Sequence, residues 1–167
     1  MALSPSFSFT YDKSLRPFDI TPKVFLSQRP KFDNVAAGTL NFNKKDELLL
    51  IKRASNDTSP NRWEIPGGVG EEGETILHCA ARETFEETGL IVVHFKRLVG
   101  GEVVTDGSTC KLSFEVEVKS TEGVTLNPEE HQDYLWVTKE MVGSLEITGP
   151  EHKATILEAF QRERKEE

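Results

Sequence analysis

The chain predicts an α/β domain in which a mixed central sheet is covered by helices on both faces. Three observations carry that expectation. Strand-like and helix-like segments follow one another in the order strand, strand, loop, helix, several strands, helix. Leu48-Leu49-Leu50-Ile51 is a continuous apolar run, as in a strand buried on both faces. Leu112, Phe114, Val116 and Val118 alternate with polar neighbours that include Glu115 and Glu117, the period of a half-buried strand.

The 167 residues suit one domain with an adequate core. Residues 1–33 are expected as an N-terminal arm, partly irregular, and 34–167 as the domain proper. In the arm, Phe7, Phe9 and Tyr11 alternate with Ser8 and Thr10 as a short strand would, and Pro17, Pro22 and Pro30 then prevent a long regular element. The arm either packs its aromatics on the domain or serves as a substrate-lining or dimer-exchanging segment. From Val35, VAAGTLNF reads as a strand, Asn43–Asp46 as its turn and ELLLIKR as the partner strand. Residues Ala54–Asn61 form a polar loop. A helix follows a glycine-rich loop and ends before Gly89. Leu90–Val99 and Lys111–Lys119 read as strands joined by a loop over Gly100–Ser108, and Thr121–Glu130 as a polar loop. Tyr134–Val137 is a short strand, and Thr138 caps a brief helix through Gly143. Pro150 and Glu151 open a last helix whose apolar face is Ile156, Leu157 and Phe160, with a fraying tail over Arg162–Glu167.

With 20 basic against 28 acidic residues, a net charge of −8, a polyanion-binding surface is not expected. A small phosphorylated substrate remains compatible, because bound cations invert the local charge. Two cysteines, Cys79 and Cys110, make neither a disulfide framework nor a zinc cluster. A reducing compartment fits them, and cytoplasmic location is the expectation. There is no apolar run of about 18 residues that would span a membrane. The segment MALSPSFSFTYDKS has no apolar stretch of the secretory kind.

The chemistry concentrates in GGVGEEGETILHCAARETFEETGL, Gly67–Leu90. On a helical wheel Glu83, Glu86 and Glu87 fall within roughly a 100° arc, with Leu77, Ala81, Thr84, Phe85 and Thr88 on the opposite side. At i,i+3 and i,i+4 spacing the three carboxylates repel one another unless something neutralises them. Oxygen ligands converging at the mouth of a loop suit a magnesium-like cation. Gly68, Gly70 and Gly73 let that loop turn sharply and approach phosphate without side-chain obstruction.

From Gly68 through Glu74 to Arg82-Glu83-Thr84-Phe85-Glu86-Glu87 and Gly89-Leu90, the spacing resembles the Nudix box, G-x5-E-x7-R-E-U-x-E-E-x-G-U. Every fixed position is matched, and Thr84 stands where the family usually has an aliphatic residue. The preceding Trp63–Gly68 is similar to the W-x-x-P-G-G segment of the same family. The resemblance covers roughly residues 34–163 and implies the Nudix α/β/α sandwich. It also implies hydrolysis of a pyrophosphate bond in a nucleoside diphosphate linked to another group, with Mg²⁺ as cofactor or Mn²⁺ in its place. The metal ligands it implies are Glu83, Glu86, Glu87 and the Gly67 carbonyl. Arg82 would orient the carboxylates through Glu74 or Glu86. Glu83 is the first candidate for general base, and Glu130 from the Glu129-Glu130-His131 cluster is the alternative. His131 itself reads as incidental. Gly68, Gly70 and Arg53 are assigned to substrate binding.

Markers that accompany ADP-ribose-type and dinucleoside-polyphosphate-type members are absent near Thr105 and Val104–Gly107. The preference is therefore a small MutT-like member acting on a nucleoside triphosphate or modified nucleotide. An ADP-sugar or dinucleoside polyphosphate hydrolase and a non-catalytic nucleotide-sensing module are the alternatives. A prenyl-diphosphate isomerase would need a catalytic cysteine, and Cys79 reads as a buried small residue. The expected partner is a small nucleotide, with neither a nucleic-acid polymer nor a membrane; a homodimer is compatible.

Overall fold

The computed structural model describes residues 7–162. Among these described residues, eight strands form two sheets. In the first, β1 (Thr10–Tyr11), β6 (Val92–Thr105), β7 (Thr109–Val118), β2 (Asn34–Asn41) and β5 (Gly67–Val69) lie in that order. Its β1–β6 and β7–β2 pairs are parallel and its β6–β7 and β2–β5 pairs antiparallel, so the sheet is mixed. The second is antiparallel, with β3 (Leu48–Arg53) between β4 (Trp63–Glu64) and β8 (His131–Val137).

Helix α2 (Ile76–Thr88) starts at Thr75, whose hydroxyl accepts the His78 N–H, and ends at Gly89 in the left-handed conformation. Its Ile76, Leu77, Ala80 and Ala81 share a core with Ala37, Leu112 and Phe114 of the first sheet. Helices α3 (Lys139–Val142) and α4 (Pro150–Ala159) close a second core, where Val142 and Ile156 meet Leu40, Leu48, Leu50 and Val99. The apolar run of β3 divides between its two faces. Leu48 and Leu50 enter the second core, while Leu49 and Ile51 join Leu90 in a third, which accounts for four fully buried residues in succession.

Several boundaries differ from expectation. β2 and β3 are not hairpin partners along their length; they touch through a bridge between Phe42 and Leu48, and the chain passes from one sheet to the other there. β2 takes β7 as its long neighbour instead, with eight paired residues from Asn34–Thr109 to Asn41–Val116. The expected loop over Gly100–Ser108 is mostly strand. Gly100 and Gly101, both at positive φ, absorb a register shift between Val99 and Val103, and the turn shrinks to Asp106–Ser108.

Between Tyr11 and Asn34 the chain forms a 3₁₀ segment, Lys13–Phe18, and a short helix α1, Pro22–Ser27. Leu15, Phe25 and Phe32 are buried in the core of α2, and Phe9 meets Phe95 edge-on. Only Thr10–Tyr11 of the alternating aromatic segment is strand. The expected fraying of 163–167 lies outside the described residues.

Thr84 is seated by a polar chain. Its hydroxyl donates to Ala80 O at 2.7 Å and meets Thr39 Oγ1 at 2.6 Å, and Asn41 Nδ2 donates to Thr39 at 2.9 Å. A threonine facing a threonine on β2 thus satisfies both hydroxyls in the interior.

Phe25→Ala should cost about 3–5 kcal/mol in urea unfolding, the range for a large core truncation, because this ring is completely buried. A change under about 1 kcal/mol would mean that the segment before Asn34 contributes little to the core.

Candidate active site

β5 is an edge strand squeezed between β2 and α2. A Cβ on Gly67 would stand 2.6 Å from Gly38 Cα, and one on Gly68 would stand 2.7 Å from the Glu83 carboxyl carbon. Glycine at both positions lets the strand backbone approach β2 on one side and the Glu83 carboxylate of α2 on the other. The Gly67 N–H then donates to Glu87 Oε1 at 2.7 Å.

Arg82 is buried and holds the acids of the helix apart. Its Nε and Nη2 form a two-pronged contact with Glu74 at 2.7 and 3.1 Å. Its Nη1 reaches Glu83 at 3.1 Å and Glu86 at 3.0 Å. The choice between Glu74 and Glu86 is therefore resolved in favour of both. The Glu74 hydrogen bond is the largest influence raising the Arg82 pKa; at Glu74 burial is the largest influence and pushes upward, and Arg82 together with the Glu71 N–H overcomes it, so the Glu74 pKa is lowered.

One guanidinium cannot neutralise the remaining three acids. Glu86 is exposed and solvated by water. Burial pushes Glu83 above the usual carboxylate range despite Arg82. Glu87 is 5% exposed, and burial, joined by the charges of Glu64 and Glu83, pushes it up to about 9 against the opposing Gly67 N–H. The helix thus presents three carboxylates of which two share one guanidinium nitrogen and the third, Glu87, has no contact with Arg82. Hard oxygen donors in that condition fit a divalent ion such as Mg²⁺.

A second group converges on Glu87 from the three-stranded sheet. His131 is 3% exposed, with Nε2 at 2.9 Å from Glu64 Oε1 and Nδ1 at 3.5 Å from Glu87 Oε2. Burial opposes the charge of Glu64, but the His131 hydrogen bond and Arg53 together hold its pKa low. Arg53 reaches both Glu64 oxygens at 3.1 Å and also binds Thr58 and Asp57. The guanidinium assigned to substrate is therefore engaged on Glu64 and the adjoining loop. A β-bulge helps to aim His131. Lys52 pairs with Asp133 but Arg53 with His131, so Gln132 is an extra residue. Lys111 comes from β7, and its Nζ would stand 2.8 Å from a Cβ on Gly67. Burial lowers its pKa, against the pull of Glu64 and Glu87.

The other assigned residues spread out. Gly68 lies against Glu83, whereas Gly70 sits under Pro22 of α1 and beside Cys79. Glu130 is exposed on the loop, its backbone bonded to Asn127 and Ala54, and its charge contributes to raising Glu83. Cys79 gives its S–H to Gly68 O at 3.4 Å, and burial holds the thiol up at about 12, so it offers no thiolate. In sequence Lys111 falls in no motif, Glu64 holds a variable position of the Trp63–Gly68 segment, and His131 reads as incidental within the Glu129-Glu130-His131 cluster. Glu64 and His131 are 67 positions apart and meet only through the β3–β4 and β3–β8 pairings. The adjacent Trp63–Gly68 motif pointed at the neighbourhood of Glu64 without assigning it a role.

Residues 33–160 match the family model of the NUDIX domain. The chain belongs to the Nudix hydrolase family. It is 34% identical over 113 residues to a MutT-like protein of Streptomyces ambofaciens, covering 68% of this chain and 69% of that one. It is 33% identical over 97 residues to an ADP-ribose pyrophosphatase of Escherichia coli K12, covering 53% of this chain and 46% of that protein, about half its length. A MutT protein of Methanosarcina mazei Go1 has a similar structure, with a TM-score of 0.62 and 28% identity over 76% of this chain and 91% of that one. The mixed sheet and its flanking helices are thus the Nudix fold, and the segment resembling the box, Gly68–Leu90, lies within the matched residues. Among the described residues, no helix of this Nudix hydrolase is long and apolar enough to cross a membrane.

The position of Glu87 sets a pH dependence. Its carboxyl titrates higher in the folded protein than unfolded, so its contribution to stability is complete at acid pH and is lost as pH rises toward about 9. Metal-free protein should therefore lose stability between about pH 5 and 9 at up to roughly 1.4 kcal/mol per pH unit. Glu87→Gln should flatten that slope, and added Mg²⁺ should oppose it at the alkaline end. Thermal melts across pH check this, and identical slopes in variant and wild type would refute it.

Proposed function

We propose that this Nudix hydrolase cleaves a pyrophosphate bond in a nucleoside triphosphate or modified nucleotide, with Mg²⁺ as cofactor and Mn²⁺ able to replace it. The observation that carries this reading is the surplus of carboxylate charge at Glu83, Glu86 and Glu87, packed directly against the Gly67–Gly68 backbone. These three side chains and the Gly67 carbonyl would hold the cation. A bound divalent ion supplies charge neutralisation for the phosphates and acidifies a water.

The protein's own groups then have separable tasks. Arg82 fixes the rotamers of Glu83 and Glu86, so the donors need no rearrangement when substrate arrives. Glu83 is the general base: it faces the glycine strand and its raised pKa suits it to accept a proton from water. Glu130 is the alternative base, close enough for its charge to act on Glu83. Gly67 and Gly68 admit phosphate close to the backbone. Arg53 supports Glu64 and, through it, the far side of the site.

The MutT-like relative favours a nucleoside triphosphate or modified nucleotide. The identity to an ADP-ribose pyrophosphatase gives a second reading, an ADP-sugar as substrate.

A phosphate and pyrophosphate release screen should cover nucleoside triphosphates, oxidised nucleotides, ADP-ribose and dinucleoside polyphosphates, with Mg²⁺ and with chelator. Turnover should require metal and fall at least about a hundredfold in Glu87→Gln, with Glu83→Gln falling in kcat more than in KM. A folded protein that binds nucleotide without turnover would instead be a sensing module.

A further inference from the structure

We propose that His131 Nδ1 is a nitrogen ligand which, with Glu87, gives this site a second cation position suited to a first-row transition ion. The inference rests on the reading of Glu87 as a cation ligand and adds a residue outside the box.

His131 is 3% exposed, and its Nδ1 is wholly buried without a hydrogen-bond partner. Its other nitrogen is committed. Nε2 lies 2.9 Å from Glu64 Oε1, and the tautomer that donates this hydrogen bond leaves Nδ1 with a lone pair. That lone pair faces a second acceptor, Glu87 Oε2, at 3.5 Å. A ring nitrogen and a carboxylate oxygen facing each other in a buried site are bridged either by a proton or by a cation, and a bound cation takes the proton's place. Two donors that share one ion at about 2.1 Å each stand roughly 3.0–3.5 Å apart from right-angled to tetrahedral geometry, so the spacing has room for an ion.

The surroundings repeat the arrangement that supports metal-bound histidines. A carboxylate on the remote ring nitrogen fixes tautomer and orientation, and a further partner fixes the carboxylate. Here Glu64 holds His131, and Arg53 holds Glu64 at 3.1 Å on both oxygens. Ligand atoms of Glu64, Glu87 and His131 lie within 4.8 Å of one another. Lys111 brings positive charge from β7, yet no donor among the described residues reaches Nδ1. An imidazole beside carboxylates raises affinity for transition ions more than for Mg²⁺, which prefers oxygen throughout.

Mn²⁺ is the probe. Pulsed electron paramagnetic resonance on the Mn²⁺-loaded full chain should show ¹⁴N coupling from a coordinated imidazole. It should vanish in His131→Gln and persist in His152→Gln. Mn²⁺ affinity should fall about tenfold or more in His131→Gln and in Glu64→Gln, with a smaller change for Mg²⁺. Bound Mn²⁺ without ¹⁴N coupling in wild type overturns the proposal, as does coupling that survives in His131→Gln. The wild-type spectrum decides even if the variants fail to fold. Such a result leaves the hydrolase reading intact if Glu87→Gln still abolishes turnover.

Discussion

The backbone of β5 lies directly against the Glu83 and Glu87 side chains of α2, and the geometry of the site depends on that contact. Gly38 and Gly67 pair across β2 and β5, and a methyl group on either would collide with main-chain atoms at 2.6 Å. With the strand this close, the Gly67 N–H falls on Glu87 and the Gly68 backbone lies against the Glu83 carboxylate. The same closeness removes water from Glu87 and drives its pKa to about 9. Sterics at three glycines therefore becomes electrostatics at two glutamates. Function enters where that electrostatic demand is met from outside the chain.

Arg82 shows how far the chain meets the demand itself. Desolvating a charge costs several kcal/mol even after relaxation, so buried acids are normally paired. Arg82 takes Glu74 with two prongs and shares Nη1 between Glu83 and Glu86. Glu87 faces the Gly67 N–H and, at 3.5 Å, the His131 ring. A protein selected only for stability would have placed a donor there. Leaving the group unpaired favours a proton or a cation, and strongly perturbed buried carboxyls of this kind mark functional sites.

The box was legible because its spacing is local: helical periodicity alone puts Glu83, Glu86 and Glu87 on one face and fixes Arg82 beside them. Thr84 was legible as a departure but not as a solution, since its partner Thr39 lies on a strand 45 positions away. The long β6 was cut short in the reading because Gly100 and Gly101 look like a loop, whereas they form a bulge within the strand. β2 and β3 read as a hairpin because a turn separates them. Buried area decides otherwise: Leu40 and Leu48 serve one core while Ala37 serves another. His131 looked incidental for the same reason. Its burial follows from strand pairing and a one-residue bulge, and neither is written in its neighbours.

The two sheets also divide the labour of the site. The box and β5 bring Glu83 and Glu87; β3, β4 and β8 bring Arg53, Glu64 and His131. What holds the two groups in register is the third core, where Leu49 and Ile51 of β3 meet Leu90 just past the end of α2, with Trp136 of β8 packed against them. Glu87 lies three residues before Leu90, so the apolar contact just past the helix end stands close in the chain to the Glu87–His131 pair. Close-packed interiors transmit volume changes to their neighbours. A change in Leu49, Ile51 or Leu90 therefore acts on the carboxylate–imidazole pair without touching either group, while Arg82 keeps the rest of the helix face in place. Position within the site is thus an apolar packing problem, and charge supplies only the chemistry once that packing is met.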